Sequence, residues 1–375
     1  MVERSTAVRA ERALAEVARL AVAGLDGLAL LERGAAALKP VAPFDAFCAT
    51  VTDPATNLIA DAVAHRDPGG PPADGRVFAT YFADVYFEHD LDLTLAMLRE
   101  NRSVTRLSDE TAGDPVRSGR YRLHLEPRGL GPEVYLTLTD RGLWGEMHLT
   151  RAAGSVDFSA TELDLLRRAA PLLGAGLRAA GLRATATVTA HAAADVPGVL
   201  ILDRWGKIAS ATPNVAAFLT DLGGAPHGGM ADDLPVAVRV VLGALERATA
   251  APTGSAARCP RLRVQGRSGR WLTLDASLTE PSAERPSERV VVIGPAPSGD
   301  IAQLTVAAHG LSPREEEVVR LVLSGQSTRQ IAERLFIAEH TVQRHLGNIF
   351  EKVGVHSRRE LVKHLFVEQV LPNLN

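Results

Sequence analysis

Beyond Leu311 the apolar residues fall at helical spacing in four consecutive blocks, and a serine able to cap a helix opens three of them. Ser312-Pro313-Arg314-Glu315 combines a capping serine, a proline suited to the first helical position and a glutamate that can close a capping box. Val318, Leu321 and Val322 carry that block to Ser324-Gly325, where Gly325 suits the position just past a helix end. Ser327-Thr328-Arg329-Gln330 repeats the box for a second helix with Ile331, Ala332 and Leu335 facing inward. Val342, Leu346, Ile349 and Val353 then recur at i, i+4, i+7 and i+11, which predicts a third helix from about Glu339 to Lys352. Ser357-Arg358-Arg359-Glu360 reads as a third box and opens a last helix bearing Leu361, Val362, Leu365 and Phe366.

Two helices joined by one short turn, followed by a long amphipathic one, form the arrangement in which the later helix enters the DNA major groove. With Val342 and Leu346 inward, the residues turned outward are His340, Gln343, Arg344 and Gly347. Gln pairs bidentately with adenine and Arg with guanine, so Gln343 and Arg344 lead the candidate base contacts, with His340 and Gly347 beside them. Glycine inside a helix costs roughly 1 kcal/mol relative to alanine, so Gly347 is expected to permit close approach to DNA. Thr328, Arg329, Thr341, Lys352 and Arg358 are the candidate phosphate contacts, which position a domain without specifying sequence.

The stretch from Leu311 to Val362 resembles the DNA-binding domain of LuxR-type regulators. The resemblance lies in Pro313-Arg314-Glu315, Gly325, Ile331-Ala332, His340-Thr341-Val342, His345-Leu346, Lys352-Val353-Gly354-Val355 and Ser357-Arg358. It implies an all-α four-helix unit over 309–375 whose third helix reads DNA. It also implies that the last helix contributes to a dimer, with Leu361, Val362 and Leu365 partly at the interface. One departure is Ala338, where the family usually has Ser or Thr as a helix cap. Losing such a cap typically costs about 1 kcal/mol.

Upstream, residues 1–183 read as an α+β domain. Helical spacing at Ala13–Val22 and Leu28–Leu38 precedes strands at Phe47–Thr52 and Leu58–Val63, a helix-rich stretch from Phe78 to Leu98, and a hairpin from Val134 to Leu149. Ser159-Ala160-Thr161-Glu162 then caps a helix reaching about Arg183, whose Leu166 and Leu173 are candidate dimer contacts. This order, with Leu143 to Arg151 and Asp157-Phe158-Ser159, resembles a GAF sensor domain of actinobacterial LuxR-type regulators. Residues 191–295 carry short strands at Gly198–Asp203, Ile208–Ser210, Arg261–Val264, Trp271–Ser277 and Val290–Ile293, and look like a PAS-type sheet. The Pro/Gly/Ser-rich start of 296–308 reads as a linker. The expected fold is therefore multidomain: α+β GAF-like, α+β PAS-like, then all-α.

Composition narrows the function. The 375-residue chain has a formal net charge of −3, so any positive field is local; residues 311–366 hold nine basic and seven acidic side chains, the acids concentrated in the first helix. The two cysteines, Cys48 and Cys259, have neither redox nor zinc spacing, and no apolar run nears the ~20 residues of a membrane span. A cytoplasmic setting follows as an expectation, without membrane contact. No phosphate-binding loop, G-x-S-x-G elbow, metal-binding His pair or flavin-binding cysteine motif occurs, so neither an enzyme nor a cofactor is expected. His65, His89, His124 and His148 sit in no converging spacing, and Tyr81, Phe82, Tyr86 and Phe87 read as core aromatics. His148 should face opposite Met147 and Leu149, toward solvent or a pocket; Trp144, Trp205 and Trp271 either line a small-molecule site or cover sheet faces. The expected function is a dimeric, double-stranded-DNA-binding transcription regulator controlled by a signal at its front domains. Whether those domains take a small molecule, hold a partner protein or only dimerise stays open.

Overall fold

A computed structural model describes residues 2–65, 82–186, 196–203, 206–223, 234–250, 259–281 and 286–367. The calls on Tyr81 and Trp205 fall outside these residues.

The first sheet is antiparallel, with strands β1 (Ala46–Asp53), β2 (Leu58–His65), β3 (Val104–Arg106), β4 (Leu130–Thr139) and β5 (Leu143–Ala152) in the order β2-β1-β5-β4-β3. Its strands alternate in period two, so Val134, Leu136, Leu138, Met147 and Leu149 bury against helices α1 (Val2–Ala21), α2 (Gly27–Leu38) and, after α3 (Leu91–Arg99) on the other face, α4 (Ala160–Ala186). Helix α1 begins eleven residues before the expected Ala13. Ser159 and Glu162 form the expected box at the start of α4: Ser159 N donates to Glu162 Oε2 (2.7 Å) and Glu162 N to Ser159 Oγ (3.3 Å). Leu166 and Leu173, expected at a dimer contact, are wholly buried in this core, where α4 packs between helices α1 and α2 and the sheet.

The opposite sheet face is polar and nevertheless buried, beneath α3 (Leu91–Arg99) and the turns before and after it. Arg120 anchors it, donating to Asp90 Oδ2 (2.5 Å) and to both Glu133 oxygens (2.7 and 2.8 Å). His148 lies on this face, 3.5 Å from Glu133 and edge-on to Tyr135; burial holds its pKa below the usual histidine value. Its place is therefore inward, not at the solvent. Glu146, next on the same face, accepts from Thr94 Oγ1 (2.8 Å), and burial raises its pKa from 4.5 to about 7.

The second sheet comprises β6 (Gly198–Leu202), β7 (Ile208–Ala211), β8 (Arg261–Gln265), β9 (Trp271–Leu278) and β10 (Arg289–Pro295), ordered β7-β6-β10-β9-β8. Counted within each unit, both sheets thus run 2-1-5-4-3. Helix α5 (Val215–Asp221) packs on β6 and β10, while α6 (Val236–Ala250) is sandwiched between the second sheet and β2 of the first. Val238, Val241 and Leu245 of α6 share one cluster with Ile59, Tyr86 and Phe87, so the two units have a common core. A Cβ on Gly243 would sit 2.3 Å from the Phe87 ring, which is why glycine stands at that crossing. Across the same junction Arg263 forks onto Asp53 (2.9 and 3.0 Å), with both side chains almost fully buried.

The expected linker, 296–308, instead forms helix α7 (Ser298–Ala308). Pro297 precedes its first turn, and Ile301, Leu304, Thr305 and Ala308 bury one stripe, in contact with α4. Proline and glycine at 294–299 therefore punctuate the helix start and do not mark an extended tether.

Glu146 generates a pH dependence. The folded chain keeps a proton that the unfolded chain gives up above its ordinary pKa, so this contribution is complete below about pH 4.5 and lost as pH rises through about 7. Compared with Glu146→Gln, which stays neutral, the wild type should lose about 1.4 kcal/mol for each pH unit crossed in that window. Denaturant titrations of both proteins across the window measure this; parallel stability profiles would contradict it.

Candidate nucleic-acid interface

The C-terminal unit contains α8 (Pro313–Leu323), α9 (Thr328–Leu335), α10 (Glu339–Val353) and α11 (Arg358–Val362), the last continuing into a π-helical turn at Lys363–Val367. Both leading capping boxes close as the spacing predicts: Ser312 N donates to Glu315 Oε2 (2.7 Å) and Ser327 N to Gln330 Oε1 (2.8 Å), with the reciprocal bonds present. The third box is altered. Ser357 Oγ accepts from Glu360 N (3.1 Å), whereas Glu360 reaches back to His356 N (2.8 Å). Gly325 and Gly354 adopt the positive φ that ends α8 and α10.

Val342, Leu346, Ile349 and Val353 bury one stripe of α10 against Val318, Val322, Ile331 and Ala332. The opposite stripe exposes His340, Gln343, Arg344 and Gly347, and continues through Asn348 and Glu351, which the sequence pattern does not mark. Among the described residues Gln343 and Arg344 have no hydrogen-bond or ion-pair partner. A Cβ on Gly347 would meet nothing within 4 Å, so the chain's own packing does not require glycine there. Phe336, also not anticipated, occupies the turn between α9 and α10 at φ 53° and is 94% exposed. An exposed aromatic in a left-handed backbone conformation carries no periodic signal in sequence.

The five candidate phosphate contacts separate. Thr328 opens α9, and Arg329 is exposed beside it, paired with Glu333 (3.0 Å), a surface contact that is easily exchanged. Thr341 is half-buried near His340. Lys352 is instead committed to the fold: its ammonium donates to Glu315 Oε2 at 2.5 Å. Burial alone would raise the Glu315 pKa, but the bonds from Lys352 and Ser312 outweigh it and hold the carboxyl below its ordinary value. Arg358 is likewise engaged, donating to the Gln326 carbonyl and tying α11 to the turn before α9. Of the expected dimer residues, Leu361 and Leu365 are wholly buried in this unit's own core, and only Val362 reaches the surface, beside Arg359 and Lys363. Both leucines pack in the small core beneath α10.

Residues 309–365 match the family described as bacterial regulatory proteins, luxR family. A Mycobacterium tuberculosis protein named as an HTH-type transcriptional regulator is 50% identical over 52 residues, 14% of this chain and 6% of that protein. The oxygen regulatory protein NreC of Staphylococcus aureus is 36% identical over 72 residues, 19% of this chain and 33% of NreC. The chain thus spans between 6% and a third of the length of these relatives, and the likeness identifies the C-terminal unit as a luxR-family helix-turn-helix. Among solved structures, the Vibrio cholerae VqmA–ligand–DNA complex overlaps 47% of this chain and 85% of that one at 18% identity, with a TM-score of 0.24.

Ala338 holds the N-cap position of α10 in extended conformation (φ −73°, ψ 150°) without a side-chain bond. Ala338→Ser should therefore stabilise the unit by about 1 kcal/mol, read as a higher midpoint in denaturant. Lys352→Met leaves the Glu315 carboxylate buried without its cation and should destabilise by roughly 1–3 kcal/mol. An unchanged melt for Lys352→Met would return Lys352 to the free cations.

Proposed function

We propose that this chain is a sequence-specific transcriptional regulator that binds double-stranded DNA as a dimer, under the control of a signal received by its two sheet units. The observation that carries the reading is the outward stripe of α10: two unpaired side chains of base-reading type, Gln343 and Arg344, beside a glycine that internal packing does not need. His340 completes the base-facing set. Thr328, Arg329 and Thr341 flank it as phosphate contacts, and the free N–H groups of the first turn of α9 add to them. Lys352 and Arg358 act one step back, holding the helices that present these groups.

The shared 2-1-5-4-3 strand order supports GAF-like and PAS-like roles for the front units. Control would run through α7, which carries the chain from the second sheet along α4 to the first DNA-binding helix. Arg178 donates to the Ala308 carbonyl (2.5 Å) and to Asp140 (2.7 Å), and Arg141 to the Gly310 carbonyl, so the entry to α8 is held by the first unit. A signal that favours one arrangement of that hold would alter the placing of two α10 helices on half-sites ~34 Å apart. Val362, beside Arg359 and Lys363, is the residue of the expected dimer set that remains open to a second copy. Among the described residues no helix is long and apolar enough to cross a membrane, and no three His, Cys, Asp or Glu side chains are grouped to hold a metal.

Selection from random duplex DNA tests the reading. Wild type should select a two-fold-symmetric site, and Arg344→Ala should lose preference at one base of each half-site, at roughly 1–3 kcal/mol. Binding by both proteins that never exceeds the salt-sensitive non-specific background would refute it.

A further inference from the structure

A cavity lies where the two sheet units meet α7. Its volume is ≈ 680 Å³, within the range of about 300–1,000 Å³ that small-molecule sites occupy, and such sites favour domain junctions. The walls come from six places: the turn between α1 and α2, the β1–β2 hairpin, Trp144 of β5, the end of α4, the β8–β9 hairpin, and Leu304 and Ala308 of α7. It lies outside the buried polar face of the first sheet, and the Asp53–Arg263 fork forms part of its wall.

The lining has a definite chemistry. Two indoles, Trp144 and Trp271, contribute flat apolar surface. The Trp144 N–H is satisfied by the Asp140 carbonyl (3.0 Å), whereas the Trp271 N–H is buried with no acceptor among the described residues. A buried donor without a partner is uncommon in folded proteins and marks a place where something else can bond. Asp61 supplies the complementary group, a carboxylate that accepts from the Ala62 N–H (2.8 Å) and retains capacity for another donor. Formal charge on the walls is balanced, with Asp26, Asp53 and Asp61 against Arg183, Arg263 and Arg267, so neither a strongly anionic nor a strongly cationic occupant is favoured.

We propose that this junction cavity binds a neutral, planar heteroaromatic molecule of about two fused rings, which offers an acceptor to the Trp271 N–H and a donor to Asp61. Its significance as the signal site rests on the regulator reading above. An occupant touches α4, the second sheet and α7 together, so it bears on the same helix that leads into the DNA-binding unit.

The test uses the full chain and indole-3-carboxamide as probe, with naphthalene as a control of similar shape that lacks both polar groups. Calorimetry should show saturable one-to-one binding of the carboxamide and markedly weaker binding of naphthalene. Trp271→Phe, which keeps a ring but removes the donor, should weaken carboxamide binding roughly three- to tenfold while leaving naphthalene unaffected. Ala184→Trp, which fills the cavity from α4, should abolish both. Absence of saturable binding to the wild type overturns the proposal, as does carboxamide binding indifferent to both substitutions. The selected DNA site is titrated on the same samples. A chain that binds DNA but not the probe defeats this inference alone, and one that shows the Trp271-dependent binding without binding DNA defeats the regulator reading alone.

Discussion

The buried fork between Arg263 and Asp53 is the contact on which the relation of the two sheets depends. Asp53 ends β1, and its other bonds are local: Oδ1 accepts from Ala55 N in the turn toward β2 (3.0 Å). It therefore stands on a rigid corner of the first sheet when Arg263, in the middle of β8, reaches it with its guanidinium and also with its backbone N–H (3.2 Å). Two desolvated charges gain little net stability against an apolar pair, but separating them leaves one buried and alone, at a cost of about 3–5 kcal/mol. Such a contact tolerates few relative positions. It sets the register of the sheets while the shared core around α6 supplies the apolar burial.

That core explains why the front of the chain does not behave as two beads on a string. Helix α6 presents Val238, Val241 and Leu245 within a cluster that draws on both sheets, and Gly243 lets it approach Phe87 closely. With the sheets joined, α7 has a continuous surface to lie on. The residues that clamp its end, Arg141 and Arg178, both belong to the first unit. Changes at the junction consequently have a short mechanical path to Ser312, where the DNA-binding unit begins.

Within the C-terminal unit, the division of labour follows from burial. Side chains whose charges are taken up by neighbours, Lys352 by Glu315 and Arg314 by Glu317 and the Leu335 carbonyl, hold the helices together. Gln343 and Arg344, left exposed on α10, are able to form new bonds to bases, because among the described residues no partner competes for them. The absence of a capping side chain at Ala338 frees the first turn of α10 from one fixed bond at the end that would enter the groove.

The amino-acid sequence by itself determined what is local. Caps act over three residues and amphipathic stripes over a few turns, so the four C-terminal helices, the buried stripe of α10, its outward quartet and the two closed boxes were legible from spacing alone. Most strands of both sheets were legible for the same reason. Tertiary structure decided what depends on partners distant in the chain. It tied Lys352 to Glu315 and Arg358 to the Gln326 carbonyl, buried Leu166, Leu173, Leu361 and Leu365 in core, made a helix of the supposed linker, and brought Asp53 to Arg263 across some two hundred intervening residues. A leucine stripe or a lone lysine has the same local pattern whether its neighbour is its own fold, a second copy or a phosphate. Only the folded chain, by placing one of these within bonding distance, selects among them.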